Sequence, residues 1–397
     1  MKNLPPVNSS VMRKILILLA VFIAFVLTAS YLSGYGYIWG GMAETYFRGW
    51  KNSNIDDLSY RTPRKIETGA AWVWPEKMQD SVRVSAALIN HKVDNEHIAS
   101  FLVIHRDTIR CERYWQGHDA HTLTNSFSMA KTITALAVGM AIDSGYLELQ
   151  APVHQYLPRF AEGPGRELTV EHLLQMRSHI PFGEDYKNPF AFMAKAYYAP
   201  DIASLLEPYA VGSTPGTEWE YQGGNTMLLE ELVRVTSGKS LSDWVEQGLW
   251  KPMGATDPAY WGLDAPVEEG GIERSFAQYY ATTRDYARFG ALLLDTGKWQ
   301  GAPLVPQEYT ARLLTPIHTL APACDATHYG YQIWLGNTED GLAFSAMEGH
   351  RGQFVISVPA LDLVVVRTGY DKAPDKLRHL PGDVYRCIAA AREVIGS

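Results

Sequence analysis

Ser128-Met129-Ala130-Lys131 sets a hydroxyl and an amine at i and i+3, at the opening of the most regular helical pattern in the chain. On a helix, residues three apart lie on one face and within reach of each other. A serine hydroxyl is a weak nucleophile until a neighbouring base takes its proton. A lysine serves as that base when burial lowers its pKa enough to empty its nitrogen. The helix N-terminus adds unpaired N–H groups and a positive dipole end, both favourable to a developing oxyanion. Together these point to acyl transfer. A helix cap followed by a surface lysine has the same four-residue pattern, so the surrounding sequence carries the argument. Other chemistries lack their residues. No G-x-S-x-G elbow, H-E-x-x-H, Walker A or complete G-x-G-x-x-G pattern occurs. The 12 histidines do not cluster at metal-ligand spacing.

Thr122 to Thr132 reads TLTNSFSMAKT, and further segments follow in order. They are Leu168 to Tyr186 (LTVEHLLQMRSHIPFGEDY), Pro215-Gly216-Thr217 before Trp219-Glu220-Tyr221, and Leu228-Leu229-Glu230. Pro252-Met253-Gly254-Ala255, Ala281 to Gly290 (ATTRDYARFG) and Gly349 to Gln353 (GHRGQ) complete the set. From about residue 80 to 395 the chain resembles the serine β-lactamase and penicillin-binding-protein superfamily. Within it, the likeness is to the branch of class C β-lactamases, esterases and 6-aminohexanoate-dimer hydrolases.

The resemblance implies that Ser128 is the acylated nucleophile, Lys131 its base or proton relay, and Tyr221 the group that returns the proton to the leaving atom. A tyrosine beside a cation can have a lowered pKa, so the base is either Lys131 or Tyr221. His350-Arg351-Gly352 stands where the family has Lys-Thr-Gly or His-Thr-Gly on a strand lining the site. There His350 would supply a hydrogen-bonding or partly cationic wall, and Gly352 would let substrate approach the backbone. The backbone N–H of Gln353 would join that of Ser128 in the oxyanion hole. Tyr186 matches a loop tyrosine that closes over substrate in the amide-hydrolase relatives. Two departures matter. The family's Tyr-x-Asn is Tyr221-Gln222-Gly223 here, which removes an amide that binds substrate amide groups. This favours an esterase or amidase over a β-lactamase or a D,D-peptidase. The same departure at Gly223 motivates a non-catalytic sensor module, and the intact Ser128, Lys131 and Tyr221 set argues against it. His179 stands where a glycine is common. The resemblance implies no cofactor and no metal, and a small-molecule ester, amide or peptide as substrate.

The elements that must position these residues follow from periodicity. Ser81 to Val93 is expected to be a helix. Ala99 to His105 and Thr108 to Trp115 read as a hairpin turning at Arg106-Asp107. Helical spacing dominates from 129 to about 315, with Met129, Ile133, Leu136, Ala137, Met140 and Ala141 on one face, and with Thr226 to Ser237 and Asp285 to Thr296 alike. Strands return at Tyr329 to Leu335, Gly341 to Met347, Gln353 to Val358 and Leu363 to Thr368. Asp383 to Val394 reads as a closing helix. The expected fold is α+β, one antiparallel sheet built from both chain ends with a helical subdomain inserted.

The chain has 397 residues and a net charge of −8, which argues against nucleic acid as the main partner. Ile15 to Leu32 runs 18 residues without a charge, enough for a helix of about 27 Å, close to a hydrocarbon core. Lys2, Arg13 and Lys14 precede it, and Tyr35, Tyr37 and Trp39 follow. That asymmetry puts the rest of the chain outside the cytoplasm, behind a retained anchor or after a cleaved signal near Thr28-Ala29-Ser30. The expected organisation is a membrane anchor or signal over 1–39, a membrane-proximal linker over 40–78 that can pack on the domain, and a catalytic domain over 79–397. Three scattered cysteines, Cys111, Cys324 and Cys387, are too few for a disulfide scaffold.

Overall fold

The structure is a computed structural model that describes residues 9–317, 328–377 and 379–397. The chain opens with α1 (Ser9–Leu32), α2 (Tyr37–Glu44) and β1 (Pro63–Ile66). Then come α3 (Ser81–Asn90), β2 (Ile98–His105), β3 (Thr108–Tyr114), β4 (Thr124–Asn125) and α4 (Met129–Asp143). The middle holds α5 (Val170–Leu174), α6 (Phe192–Tyr198), α7 (Ile202–Leu206), α8 (Gly223–Ser237) and α9 (Leu241–Val245). It continues through β5 (Ala259–Gly262), β6 (Tyr279–Ala281), α10 (Thr283–Leu294), β7 (Lys298–Trp299), β8 (Ala302–Pro303) and α11 (Gln307–Leu313). The C-terminal part supplies β9 (Trp334–Asn337), β10 (Ala343–Gly349), β11 (Gln353–Val358), β12 (Leu363–Gly369), β13 (Lys376–Leu377), β14 (Leu380–Pro381) and α12 (Gly382–Ile395).

The main sheet is antiparallel, in the order β3-β2-β12-β11-β10-β9, so both chain ends build it. Arg106 and Asp107 both adopt positive φ, 52° and 54°, the twist a two-residue turn between β2 and β3 requires. Side chains alternate across a strand. Val364 and Val366 of β12 therefore join the core under α4 and α10, whereas Leu363 and Val365 join the core under α3 and α12. Every residue of α4 from Met129 to Ala141 is buried, its apolar residues in the core and its polar Lys131, Thr132 and Thr134 hydrogen-bonded within it.

Two expectations need correcting. A second sheet, β1-β5-β6-β4, stands apart from the first, and its strands are too short to leave an alternating pattern in the sequence. The strand expected over Tyr329 to Leu335 begins only at Trp334. Gly330 packs so tightly on Leu313 that a Cβ would lie 2.0 Å from its carbonyl oxygen, so the apolar run is buried as a close-packed loop. The segment 40–78 packs on the body: Ile55 and Ile66 are fully buried, and β1 pairs with β5. Cys111 and Cys387 are buried thiols without a disulfide, and Cys324 lies outside the described residues.

Candidate active site

Ser128 sits at the turn from β4 into α4. Ser126 N–H donates to Tyr279 O at 2.7 Å, and the Asn125 side chain accepts from Phe127 N–H at 2.9 Å. Between these anchors Phe127 adopts φ 45°, a conformation that costs a bulky residue energy. The turn presents Ser128 as the first residue of the helix end, yet its hydroxyl caps no backbone N–H. Instead Lys131 Nζ donates to Ser128 Oγ at 2.9 Å and to Phe276 O at 3.2 Å. Lys131 is 1% exposed, so it is not a surface lysine. Burial lowers its pKa to about 8, against a smaller upward pull from the Glu184 carboxylate.

Tyr221 closes the group. Its ring centroid lies 4.9 Å from Lys131 Nζ, and its hydroxyl meets the Ser128 side chain. Burial, and then the Glu184 charge, raise the Tyr221 pKa. The expectation of a lowered pKa fails, because burial and the Glu184 charge outweigh the Ser128 hydrogen bond that favours the phenolate. Trp334 stacks on Tyr221 at 5.7 Å, with Trp219 and Tyr329 around them.

Glu184 was not singled out from the sequence, and it ties the site together. Its Oε2 accepts from Gly223 N–H, the first residue of α8, at 2.7 Å, and the Tyr186 hydroxyl hydrogen-bonds its other oxygen. Burial raises its pKa, opposed by Lys131. A Cβ at Gly223 would fit tightly, 3.2 Å from Met193 and 3.4 Å from Phe276, and the Glu184 carboxylate occupies the helix end. The sequence signal was an acid two residues before Tyr186. Asp57, in the segment 40–78, was also missed. It accepts from Tyr280 at 2.6 Å, Arg61 at 2.5 Å and Asn125 at 3.1 Å, and Asn125 holds the nucleophile turn.

Within GHRGQ, His350-Arg351-Gly352 form the turn between β10, which ends at Gly349, and β11, which begins at Gln353. Arg351 and Gly352 have φ 62° and 81°. A Cβ on Gly352 would lie 2.0 Å from Arg367 Nη1, so this glycine admits an arginine of the body rather than substrate. His350 meets Phe127 edge-on at 5.6 Å and Tyr186 in a stack at 6.2 Å, which places it beside the nucleophile turn. Burial, then Arg351 and Lys372, lower its pKa to about 4, so the wall is neutral rather than partly cationic. A Cβ on Gly349 would lie 2.2 Å from Ser126 O, so this hairpin abuts the Ser128 turn. The Gln353 side chain pairs with Gly369 N and O at 3.0 and 2.6 Å and locks β11 to β12. His179 has φ 55°, which accounts for the glycine usual there. Its ring bonds Ser213, Thr217 and Glu218 N–H at 2.8, 2.9 and 3.1 Å.

A family model described as Beta-lactamase matches residues 86–379. The chain belongs to this beta-lactamase family. It has the β-lactamase/transpeptidase-like α+β fold. It is 25% identical over 303 residues to the 6-aminohexanoate-dimer hydrolase of Paenarthrobacter ureafaciens, covering 71% of this chain and 75% of that one. A solved structure of a candidate 6-aminohexanoate-dimer hydrolase from Bacillus anthracis matches with TM-score 0.70 and 20% identity, over 86% of this chain and 94% of that one. A family VIII carboxylesterase matches with TM-score 0.59 and 19% identity, over 80% and 99%. The beta-lactamase family thus joins amidase and esterase neighbours on one fold.

Proposed function

We propose that this chain is a serine hydrolase that cleaves an ester or an amide through an acyl-enzyme on Ser128. The observation that carries the reading is the buried Lys131 amine 2.9 Å from the Ser128 hydroxyl, its pKa brought down to about 8. In this reading Lys131 takes the serine proton as Oγ attacks the carbonyl carbon. Tyr221 gives its proton to the departing oxygen or nitrogen and is returned to the neutral phenol by the proton that Lys131 took from Ser128. Water then cleaves the acyl-enzyme by the reverse route. The N–H groups of Ser128 and Gln353 would stabilise the oxyanion. His350 and Tyr186 would border the substrate. A neutral His350 suits an uncharged acyl group better than the carboxylate of a β-lactam or peptide.

We infer further that α1 anchors the chain in a membrane with the catalytic body on the extracytoplasmic side. The span Ser10–Leu32 has mean hydropathy 2.7 and packs on none of the body, with Arg13 and Lys14 at its N-terminal end.

The test is active-site labelling of the whole protein with a fluorophosphonate and with a penicillin, read by adduct mass. A fluorophosphonate adduct on the wild type and none on Ser128→Ala is expected, with little penicillin adduct. No adduct from either reagent would overturn the hydrolase reading. Rapid, stable acylation by penicillin would favour the penicillin-binding alternative.

A further inference from the structure

The residues that leave α1 are built into the rim of the candidate active site. Tyr37 is buried, and its hydroxyl donates to Pro189 O at 2.7 Å. Tyr35 meets Phe190 edge-on, with 5.2 Å between ring centroids. Lys195 Nζ lies 5.2 Å from the Tyr35 ring centroid on the other side. Pro189 and Phe190 end the loop that carries Glu184 and Tyr186. That loop is closed on itself. The Asp185 carboxylate accepts from Lys187 N–H at 2.8 Å and from Asn188 N–H at 3.2 Å, and the Asn188 side chain accepts from Phe190 N–H at 2.9 Å. A position set at Phe190 is therefore carried to Tyr186, whose ring is 57% exposed while its hydroxyl reaches inward to Glu184.

Chain length fixes how far this rim stands from the end of the span. From Leu32 to Tyr35 is three residues, at most about 11 Å of extended chain. The interfacial layer on each side of a hydrocarbon core is roughly 5–8 Å deep. Tyr35 N–H donates back to Ser30 O at 2.8 Å, which keeps it well short of the extended length, so with α1 across a bilayer Tyr35 and its partner Phe190 are held at the headgroup level. The exposed side chains there suit it: Tyr31 and Phe190 are aromatic and 66% and 56% exposed, and Lys187 of the same loop as Phe190 is exposed. Around the nucleophile, the neutral His350 and the rings of Tyr221, Trp219, Trp334 and Tyr329 offer apolar contacts beside the charged groups Lys131, Glu184 and Glu348.

We propose that the active site opens at the bilayer surface and that its substrate is the ester or amide of a membrane-borne amphiphile, presented to Ser128 from the lipid side. This rests on the hydrolase reading and on retention of α1. The bonds are those of that reading: the acyl carbon joins Ser128 Oγ, the alcohol or amine leaves with the proton, and water frees the acid.

The experiment uses the full chain reconstituted in phosphatidylcholine vesicles. Two probes share one reacting group: p-nitrophenyl butyrate, which stays in water, and p-nitrophenyl dodecanoate, which is held in the vesicles. A variant carries about 20 Gly/Ser residues inserted between Ser33 and Gly34, which adds a flexible reach of about 25 Å. The insertion lies in the turn that follows α1, where a Cβ on Gly34 would meet nothing within 4 Å; it interrupts the Gly34 N–H to Tyr31 O and Tyr35 N–H to Ser30 O bonds of that turn and changes no residue of the site. Loosening the tether lowers the effective concentration of vesicle-held ester at the mouth, so its turnover should fall by about tenfold. Butyrate turnover should be unchanged. Equal turnover of both esters by both chains would overturn the proposal and leave the hydrolase reading standing. Absence of Ser128-dependent turnover of either ester would overturn the hydrolase reading, and this proposal with it.

Discussion

Lys131 has given up a water shell for one hydroxyl and one carbonyl, and the reaction depends on that trade. With its pKa near 8, a minor fraction is neutral at pH 7 and able to accept the Ser128 proton. We expect kcat/KM for a soluble ester to rise with pH through an inflection near 8 and then level. Glu184 bears on the same group from the other side, because its negative charge raises the Lys131 pKa. Glu184→Gln removes that charge, so the inflection should move to lower pH. An unmoved or upward-moved inflection would remove Glu184 from the proton inventory. The same burial has a cost in stability. The folded-state pKa of Lys131 is depressed from 10.5 to about 8, so below pH 8 the folded protein must hold a charge it disfavours. Lys131→Met should therefore abolish turnover yet stabilise the fold at pH 7, by on the order of 2 to 3 kcal/mol. That gain should shrink as the pH rises from about 8 past 10.5, where the unfolded lysine also loses its proton. Chemical unfolding of both proteins at pH 7 and at pH 10 checks the size and the sign.

At the level of elements, the nucleophile turn depends on a residue more than sixty positions upstream. Asp57 gathers Tyr280, Arg61 and Asn125, and the Asn125 carbonyl oxygen holds Phe127 in its left-handed conformation. Asp57 is thus a positioning residue. Asp57→Ala removes the shared acceptor of Tyr280, Asn125 and the buried Arg61, which keeps only Glu44 as an ion-pair partner, a loss of roughly 3 to 5 kcal/mol. Among molecules that still fold, the Ser128 turn should relax, lowering kcat by about 10- to 100-fold with little change in KM. Asp57→Asn keeps one acceptor oxygen and should recover part of kcat. A purely structural residue would lower the yield of folded protein and leave kcat per folded molecule alone. This support was not legible in the sequence, since no local pattern links residue 57 to residue 125. What was legible were features that local chemistry dictates: the Arg106-Asp107 hairpin, β11 and β12, α8, α10 and α12, and the Ser128-Lys131 turn. The second sheet and the late start of β9 were not, because both rest on packing between distant segments. His350 was placed beside the nucleophile turn by order along the chain. Its neutrality and the true neighbour of Gly352 came only from what surrounds them in space.

For the molecule as a whole, the question is where the folding unit begins. The segment before α3 is stitched into both sheets' surroundings. Ile55 and Ile66 have no exposed surface and Trp74 is 3% exposed. Burying three such side chains contributes roughly 5 to 9 kcal/mol, which rivals the 5 to 15 kcal/mol typical of a whole domain. β1 also gives β5 an antiparallel partner, Pro63 to Ile66 against Gly262 to Ala259. Trp72 O accepts from the buried Arg288 at 2.7 Å, and the rings of Trp72, Trp74 and Trp299 surround that guanidinium at 5.6 to 5.8 Å. Losing the segment would bare the β5 edge and strip Arg288 of one acceptor and two of its three rings, leaving its buried pair with Asp285 open to water. We therefore propose that the catalytic unit extends well before residue 79. A chain that begins at residue 79 should be recovered as aggregate, or without a cooperative melt. A chain that begins at residue 34 keeps Tyr35, Tyr37, Asp57 and β1, and it should melt cooperatively and label at Ser128. Thermal unfolding and fluorophosphonate labelling of the two, side by side, decide it. Equal cooperative melts and equal labelling would return the segment 40–78 to the role of a linker.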